Sequence, residues 1–327
     1  STLGPIINNS EVVNDLASRG AAFVNTPEEV DKDTMLVIRS HGVAESVIKR
    51  IEELGIEYTD ATCPFVRKIH KIVKEAGENS STVIIAGDSN HPEVIGIMGH
   101  TKGECYTFKN EEELKNLLDI IPEEKLKQAS FVAQTTFDQK EWKKCLKLIK
   151  KVCTNAKIFD TICSATHSRQ AEAENLAKSS DLMIIIGDTK SSNTSKLFEI
   201  AKRNCPDTLW IQTADELLTE RLSNARLIGV TAGASTPARI IKEVLDKMDE
   251  MTKSGVTNEM EENFEALLEE NLKSLNTNER VMGTVISMTP TEVYVDVGRK
   301  QSGFIPVDEL SATPISHPSE VCKVGDE

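Results

Sequence analysis

The sequence predicts an α/β protein: three tandem pseudo-symmetric βαβ units around a shared central site, the first incomplete, followed by part of a small antiparallel β-barrel. Three observations support this prediction. Apolar runs of strand length alternate with helical patterns from residue 34 to residue 250, which is typical of parallel βαβ units. Several motifs recur at a fixed long interval, which indicates duplication of a whole unit. From residue 280 the apolar period changes to two, as in antiparallel strands.

The repeat is clearest around two cysteines that lie 100 residues apart. Asp60-Ala61-Thr62-Cys63 and Asp160-Thr161-Ile162-Cys163 share an Asp-x-x-Cys spacing, and each follows a short β-like run. Val83-Ile84-Ile85-Ala86-Gly87-Asp88 recurs as Ile184-Ile185-Ile186-Gly187-Asp188 at the same interval. An earlier copy near Asn8 lacks its opening cysteine, so the repeat predicts that this residue lies upstream of the chain.

The apolar pattern places strands and helices in alternation. We predict strands at 35–39, 130–133 and 226–231, each followed by a helix, at 42–54, 139–152 and 237–248. In folds of this kind the loops at the carboxyl ends of parallel strands carry ligands. That rule selects five loops: Ser40-His41-Gly42, Ser89 to Glu93, Gln134-Thr135-Thr136, Ser191-Ser192-Asn193 and 232–235.

These patterns divide the chain into three parts. Residues 1–252 form the α/β core, with units at about 1–59 (partial), 60–159 and 160–252. Residues 253–278 combine many acids with apolar residues at helical spacing, which predicts an acidic helical linker. Residues 279–327 carry the β pattern and end before a barrel can close.

Charge and cysteine usage restrict the function classes. A net charge of −14 argues against a chain built mainly to coat nucleic-acid backbones, so any such role is local. The seven cysteines, an odd number scattered through α/β sequence, suit a reducing, cytoplasmic compartment rather than a disulfide scaffold. We predict no contact with a membrane, because no run of 18 apolar residues occurs.

Cys63 and Cys163 are candidate metal ligands. The pseudo-repeat would bring both to one central point, and a third thiolate from the first unit would complete three ligands with an open fourth position. That arrangement suits an iron-sulfur cluster that binds substrate, or a catalytic zinc. A lone buried cysteine is more often a small core residue, which is our expectation for Cys105, Cys145, Cys153 and Cys205.

Polar side chains in the selected loops predict a site for an anionic substrate. His41 and His91 occupy equivalent loops, and Glu93 could deliver a proton from the start of a helix. Ser191-Ser192-Asn193 opens a helix and suits phosphate, although an ordinary N-cap is an equal alternative. Thr135 and Ser235 add small donors, and the complete ring of donors favours a diphosphate.

Seven motifs in order resemble those of the 4-hydroxy-3-methylbut-2-enyl diphosphate reductase (LytB/IspH) family, over about residues 3 to 250. They are Ser40-His41-Gly42-Val43, Asp60 to Pro64, His91-Pro92-Glu93-Val94, Gln134-Thr135-Thr136, Cys163 to Gln170, Ser191-Ser192-Asn193 and Gly229 to Ser235. The resemblance implies the last step of non-mevalonate isoprenoid biosynthesis, in which the substrate hydroxyl is removed reductively. It also implies a 4Fe-4S cluster on three cysteines and a ferredoxin- or flavodoxin-type electron donor.

The family's functional residues transfer to matching positions of this chain. Cys63 and Cys163 would be cluster ligands, and Glu93 the proton source with Thr135 beside it. The diphosphate and hydroxyl would be held by His41, His91, Ser191, Ser192, Asn193 and Ser235. The chain departs from the family twice. The first cluster cysteine is absent, so we expect this fragment to be inactive without it. Asn8 stands where the family has histidine, and because an amide cannot carry a positive charge, we expect weaker binding of the diphosphate.

The tail resembles the OB-fold RNA-binding module that is repeated in the largest ribosomal protein of the small subunit. The matching motifs are Gly283-Thr284-Val285, Tyr294 to Gly298 and Gly303 to Pro306. Tyr294 and Phe304 would stack on bases or fill the barrel. Residues 280–327 contain four basic residues and seven acids, and Pro306 stands where RNA-binding copies tend to carry histidine. Both observations favour a tail that docks on ribosomal protein over one that binds RNA.

Two alternatives to the reductase stay open on the sequence. One is a translation-associated binding protein whose reductase portion has decayed, which the changed Asn8 and the absent cysteine suggest. The other is a zinc hydrolase that uses the same loops. Retention of Glu93, both cysteines and the serine loop argues against decay.

Overall fold

The structure is a computed structural model that describes residues 1–31, 33–79, 81–252, 281–288, 292–297, 303–311 and 318–327. The predicted linker at 253–278 lies outside the described residues. Two compact units are present, one of Ser1–His167 with Thr284–Glu327 and one of Ser168–Gly283. None of the helices in the described parts is long and apolar enough to cross a bilayer.

The first unit begins with a four-stranded parallel sheet. Its strands are β1 (Thr2–Leu3), β2 (Phe23–Val24), β3 (Leu36–Ile38) and β4 (Tyr58–Asp60), in the spatial order β2-β1-β3-β4. Helices α1 (Ser10–Ser18) and α2 (Glu45–Glu53) connect them. Asn9 caps α1 by accepting a hydrogen bond from the backbone N–H of Val12 at 3.1 Å. The core of this sheet includes Leu36 and Ile38, both fully buried.

A second sheet repeats the same topology. Its strands are β5 (Val83–Ala86), β6 (Cys105–Phe108), β7 (Ser130–Ala133) and β8 (Lys157–Ile158), in the order β6-β5-β7-β8. The helices around it are α3 (Pro64–Glu78), α4 (Pro92–Met98), α5 (Glu111–Ile120), α6 (Glu123–Leu126) and α7 (Gln139–Val152). Ile84 and Ala86 face one core with Phe108 and Trp142, whereas alternate residues of the same strand face another. Cys145 and Cys153 lie in the first of these cores, as predicted.

The second unit contains a third sheet of the same kind. It is formed by β9 (Leu182–Ile186), β10 (Thr208–Ile211) and β11 (Ile228–Ala232), in the order β10-β9-β11. The helices are α8 (Ser164–Ser179), which starts in the first unit, and α9 (Ser192–Asn204), α10 (Thr219–Ser223) and α11 (Ala238–Thr252). The three sheets share the order second, first, third strand, so the predicted tandem α/β architecture is confirmed.

The tail contributes three antiparallel strands to the first unit. These are β12 (Thr284–Met288), β13 (Glu292–Asp296) and β14 (Gly303–Pro306), in the order β12-β13-β14. A register shift between Val285 and Ser287 marks a bulge in the first pair. The predicted antiparallel β pattern of the tail is therefore confirmed for the described strands.

We predict that Ile84→Ala lowers the free energy of unfolding by about 2–5 kcal/mol, because it leaves a cavity in the packed core of the second sheet. Ile84 has no exposed surface. Urea unfolding monitored by circular dichroism measures the change. Ile120→Ala is the matched control, since that side chain is 74% exposed and its loss should change stability little. Equal losses in the two variants would contradict the assigned core.

Candidate functional site

Cys63 and Cys163 hold equivalent positions in the first unit. Cys63 precedes the first residue of α3, and Cys163 precedes the first residue of α8. The backbone N–H of Cys63 donates to the carbonyl of Ser40 at 2.9 Å, and that of Cys163 donates to the carbonyl of Thr135 at 3.1 Å. Each cysteine is thereby attached to the loop that follows the third strand of a sheet. The sequence repeat thus appears as a repeated local geometry.

The two sulfurs share a partly buried environment at the start of a helix. Burial raises the pKa of Cys63 to about 11, backbone N–H groups of Phe65 and Val66 oppose this rise, and nearby Cys163 and Glu93 add to it. Burial likewise raises the pKa of Cys163, again against two backbone N–H groups at the start of its helix. Glu93 raises both pKa values further, and Cys163 also raises that of Cys63, so the three groups are electrostatic neighbours.

Cys63 and Cys163 are two suitable ligands for a cluster. Sulfurs that accept backbone N–H bonds at a helix start are typical of metal-bound thiolates, so the donor chemistry of Cys63 and Cys163 fits an iron-sulfur cluster. Across the described ranges, no three His, Cys, Asp or Glu side chains surround a common metal position. The described residues therefore fit two ligands of such a group rather than a complete set.

Glu93 is a buried carboxyl at the start of α4. One of its oxygens accepts the backbone N–H of Thr135 at 2.7 Å, and the other accepts the Thr135 hydroxyl at 2.8 Å. Burial raises the pKa of Glu93 to about 7, although both hydrogen bonds from Thr135 oppose this rise. Such a group holds a proton near neutral pH and releases it without a large energetic cost.

His91 lies directly beside this carboxyl as the N-cap of α4. Its Nδ1 accepts the backbone N–H of Glu93 at 3.2 Å, which leaves Nε2 to carry the proton of the neutral ring. Burial lowers the pKa of His91, so the neutral ring is favoured. The imidazole therefore offers an N–H donor to a ligand.

His41 completes a row of polar groups with Asn8. The His41 and His91 rings meet edge to face, with centroids 5.6 Å apart. Asn8 Nδ2 lies 3.3 Å from His41 Nε2, and since an amide nitrogen only donates, Nε2 is the acceptor and Nδ1 carries the proton. His41 Nδ1 is buried and has no hydrogen-bond partner within the described part of the chain. Burial lowers the pKa of His41 to about 4, with the nearby His91 and Arg39 adding to the effect.

Gly42 fixes the backbone of this histidine loop. Its φ is +71°, a left-handed conformation that favours glycine, and a Cβ at this position would lie 2.6 Å from the ring of His70. His70 in turn stacks on His100 with ring centroids 4.0 Å apart. The stacked imidazoles of His70 and His100 therefore pack against the histidine loop.

The second unit carries the remaining predicted residues. Ser191 is the N-cap of α9 and accepts the backbone N–H of Thr194 at 3.3 Å, so the ordinary capping role is present. Asn193 is buried, and neither atom of its amide has a hydrogen-bond partner among the residues described. Ser192 is the first residue of α9, and Ser235 follows β11. An unpaired buried amide at a helix start is a candidate ligand contact.

The two aromatic residues of the tail differ in exposure. Tyr294 and Phe304 are cross-strand partners on β13 and β14. The guanidinium carbon of Arg67 lies 5.8 Å from the centroid of the Tyr294 ring, and the Tyr294 hydroxyl donates to Glu292 at 2.8 Å. Phe304 is 62% exposed. Stacking on a base is therefore sterically simpler at Phe304.

The sequence did not predict two features of the first unit. The hydroxyl of Ser164, next to Cys163, donates a hydrogen bond to the carboxylate of Asp296 in the tail. No local motif predicts this long-range contact. Arg39 is a partly buried cation that lowers the pKa values of His41 and His91. The signal available for Arg39 was its position at the end of a predicted strand, one residue before the selected loop.

Comparison with known proteins gives the family. The LytB protein family model matches residues 1–249, and the S1 RNA binding domain matches residues 274–327. A 4-hydroxy-3-methylbut-2-enyl diphosphate reductase of Caldanaerobacter subterraneus subsp. tengcongensis is 41% identical over 249 residues, which cover 76% of this chain and 84% of the relative. The reductase of the same name from Clostridium acetobutylicum is 37% identical over 313 residues, covering 94% of this chain, and this chain spans about half (48%) of that relative.

Two solved structures give the same result for the fold. A structure titled as (E)-4-hydroxy-3-methyl-but-2-enyl diphosphate reductase, the terminal enzyme of the non-mevalonate pathway, is 35% identical, with a TM-score of 0.54 and coverage of 76% of this chain and 87% of that one. The corresponding Plasmodium falciparum reductase shares the fold at 24% identity, with a TM-score of 0.71 and coverage of 83% and 89%. Residues 1–249 of this chain therefore belong to the LytB protein family, and an S1 RNA binding domain follows them.

Proposed function

We propose that this protein is a 4-hydroxy-3-methylbut-2-enyl diphosphate reductase that forms isopentenyl and dimethylallyl diphosphate. In this reaction two electrons and two protons cleave the carbon–oxygen bond of the hydroxyl, which leaves as water, and an allylic carbon gains a hydrogen. The observation that carries the proposal is the buried Glu93, held by both hydrogen-bonding groups of Thr135 and close enough to Cys63 to raise its pKa. A ferredoxin- or flavodoxin-type donor in the cytoplasm would supply the electrons.

Cys63 and Cys163 would hold part of a 4Fe-4S cluster, which when bound would supply the electrons for the reduction. The protein's own contribution is proton delivery. Glu93 is protonated up to about pH 7, so it can donate to the departing oxygen, while Thr135 fixes the direction of its carboxyl.

The diphosphate would be bound mainly by neutral donors. His91 offers Nε2–H and His41 offers Nδ1–H, because burial keeps both rings uncharged. Hydrogen bonds from neutral groups orient a phosphate without forming an ion pair. In the second unit we assign contacts with phosphate to Ser191, Ser192, Asn193 and Ser235.

Glu93→Gln should lower kcat by about 10²-fold or more, since the amide keeps the shape but cannot deliver the proton. Turnover of the anaerobically prepared full-length protein measures the change. Because burial raises the pKa of Glu93 to about 7, the wild-type rate should fall as pH rises through that value, and the variant should lose this dependence. Glu112→Gln, an exposed change on α5, is the control. Full activity of the Glu93 variant would refute the assigned role.

Asn8→His should lower the KM for the diphosphate substrate about fivefold, the equivalent of one hydrogen bond of about 1 kcal/mol, because a bound diphosphate favours the protonated form of a histidine at this half-buried position. The side chain already reaches His41, so the new ring would lie beside the assigned donors. Steady-state kinetics at fixed pH measures KM, and kcat serves as the internal control. An unchanged KM would show that position 8 does not contact the diphosphate.

Because the S1 RNA binding domain matches residues 274–327, we propose that the tail binds single-stranded RNA, and docking on ribosomal protein, which the charge balance favours, is the alternative. Phe304→Ala should weaken RNA binding by about 1–3 kcal/mol, the usual contribution of one stacked base. Filter binding of the complete chain measures this change. Met282→Ala is the matched control, because Met282 is an apolar tail residue that is 76% exposed. Failure of the wild-type chain to retain RNA would favour the ribosomal-protein alternative.

A further inference from the structure

A cavity of about 380 Å³ lies in the first unit at the carboxyl end of the first sheet. Its walls come from the residues after β1 and β2, from the start of α2 and from one side of α4. Carboxyl ends of parallel strands are the usual place for ligands in α/β proteins, and a volume of this size holds a small metabolite. None of the site residues assigned above lines this cavity.

Arg39 contributes a positive charge to the wall of the cavity. It follows β3, lines the cavity and has a buried Nε without a hydrogen-bond partner among the described residues. Glu28, an acid in the same wall, is paired instead with Arg50 at 2.7 Å. Burial lowers the pKa of Arg39 from its usual value, although a guanidinium stays protonated in proteins.

Arg39 is half-buried with a buried Nε, and the partial desolvation of its charge is not offset by an ion pair among the described residues. The chain has 52 acidic residues against 38 basic ones, so counter-charges are plentiful, yet none of the described carboxylates forms an ion pair with this guanidinium. An anion from solution would supply the missing charge. The planar fork of arginine matches the oxygens of a phosphate group in particular.

Gly4 leaves room for the guanidinium of Arg39. Gly4 has a left-handed φ of +71°, and a Cβ there would lie 2.6 Å from Arg39 Nη1. The glycine therefore creates the space that the guanidinium occupies. Asn25 and Ser46 add an amide and a hydroxyl to the lining, and the N-terminus of α2 has no side-chain cap.

We propose that this cavity binds a phosphate-bearing anion and that Arg39 is its charged ligand. Two sources offer that chemistry. One is the diphosphate of the reductase substrate, since Arg39 lies two residues before His41 and the cavity wall includes Pro92, next to His91, and this source rests on the proposed function. The other is a separate phosphorylated metabolite that binds next to the active site.

Calorimetric titration of inorganic pyrophosphate into the full-length protein tests the proposal without any turnover. Arg39→Gln should weaken binding about tenfold or more, as expected for loss of a hydrogen bond to a charged group, and Arg39→Lys should give an intermediate affinity. Arg19→Gln, which removes an equal charge from an exposed ion pair on α1, should bind as the wild type does. Equal affinity of wild type and Arg39→Gln would overturn the proposal.

Further variants separate the sites and the sources. Ser192→Ala reports on the other assigned phosphate loop, and a pyrophosphate affinity that depends only on Ser192 would also overturn the proposal. If Arg39→Gln does not fold, Gly4→Ala displaces the guanidinium while keeping its charge, and it should weaken binding likewise. A raised substrate KM in Arg39→Gln identifies the substrate as the source, whereas an unchanged KM with lost pyrophosphate binding identifies a separate metabolite. Binding through Arg39 in a protein that does not reduce the substrate would reject the proposed function alone.

Discussion

The candidate site depends on the hydrogen bonds of one residue, Thr135. Its N–H and hydroxyl hold the two oxygens of Glu93, and its carbonyl accepts the backbone N–H of Cys163. The proposed proton donor and a candidate cluster ligand are thereby fixed to the same loop at the end of β7. Because three parallel sheets of one topology end in such loops, small polar residues from distant parts of the sequence are brought to the carboxyl ends of strands.

Much of the fold follows from local patterns. The helix expected at 139–152 and the strand expected at 130–133 have the observed bounds of α7 and β7, since Asp138 caps the helix and the strand is buried along its length. The helix expected from residue 42 begins later, at Glu45, because Gly42 adopts a left-handed φ and Ala44 is extended. The helix expected at 237–248 spans Ala238–Thr252, because Met251, three residues after Met248, packs against the same core.

The closeness of four candidate residues was predictable from the sequence, but their protonation states were not. Motif spacing placed Glu93, Thr135, His41 and His91 in neighbouring loops, and the described geometry joins them. The neutral rings of both histidines depend on burial, and the unpaired Nδ1 of His41 depends on where Asn8 lies. Neither property is encoded in a local pattern. The contacts of Arg67 with Tyr294 and of Ser164 with Asp296 likewise join residues too far apart in sequence for periodicity to relate them.

The burial of Glu93 couples folding of the protein to uptake of a proton. Its pKa rises from an ordinary value near 4.5 in the unfolded chain to about 7 in the folded one, so the native state binds the proton more tightly. The resulting stabilisation is fully present below the unfolded pKa and is lost as pH rises through 7. The raised pKa that lets Glu93 release a proton near neutral pH therefore also makes the native state less stable at alkaline pH.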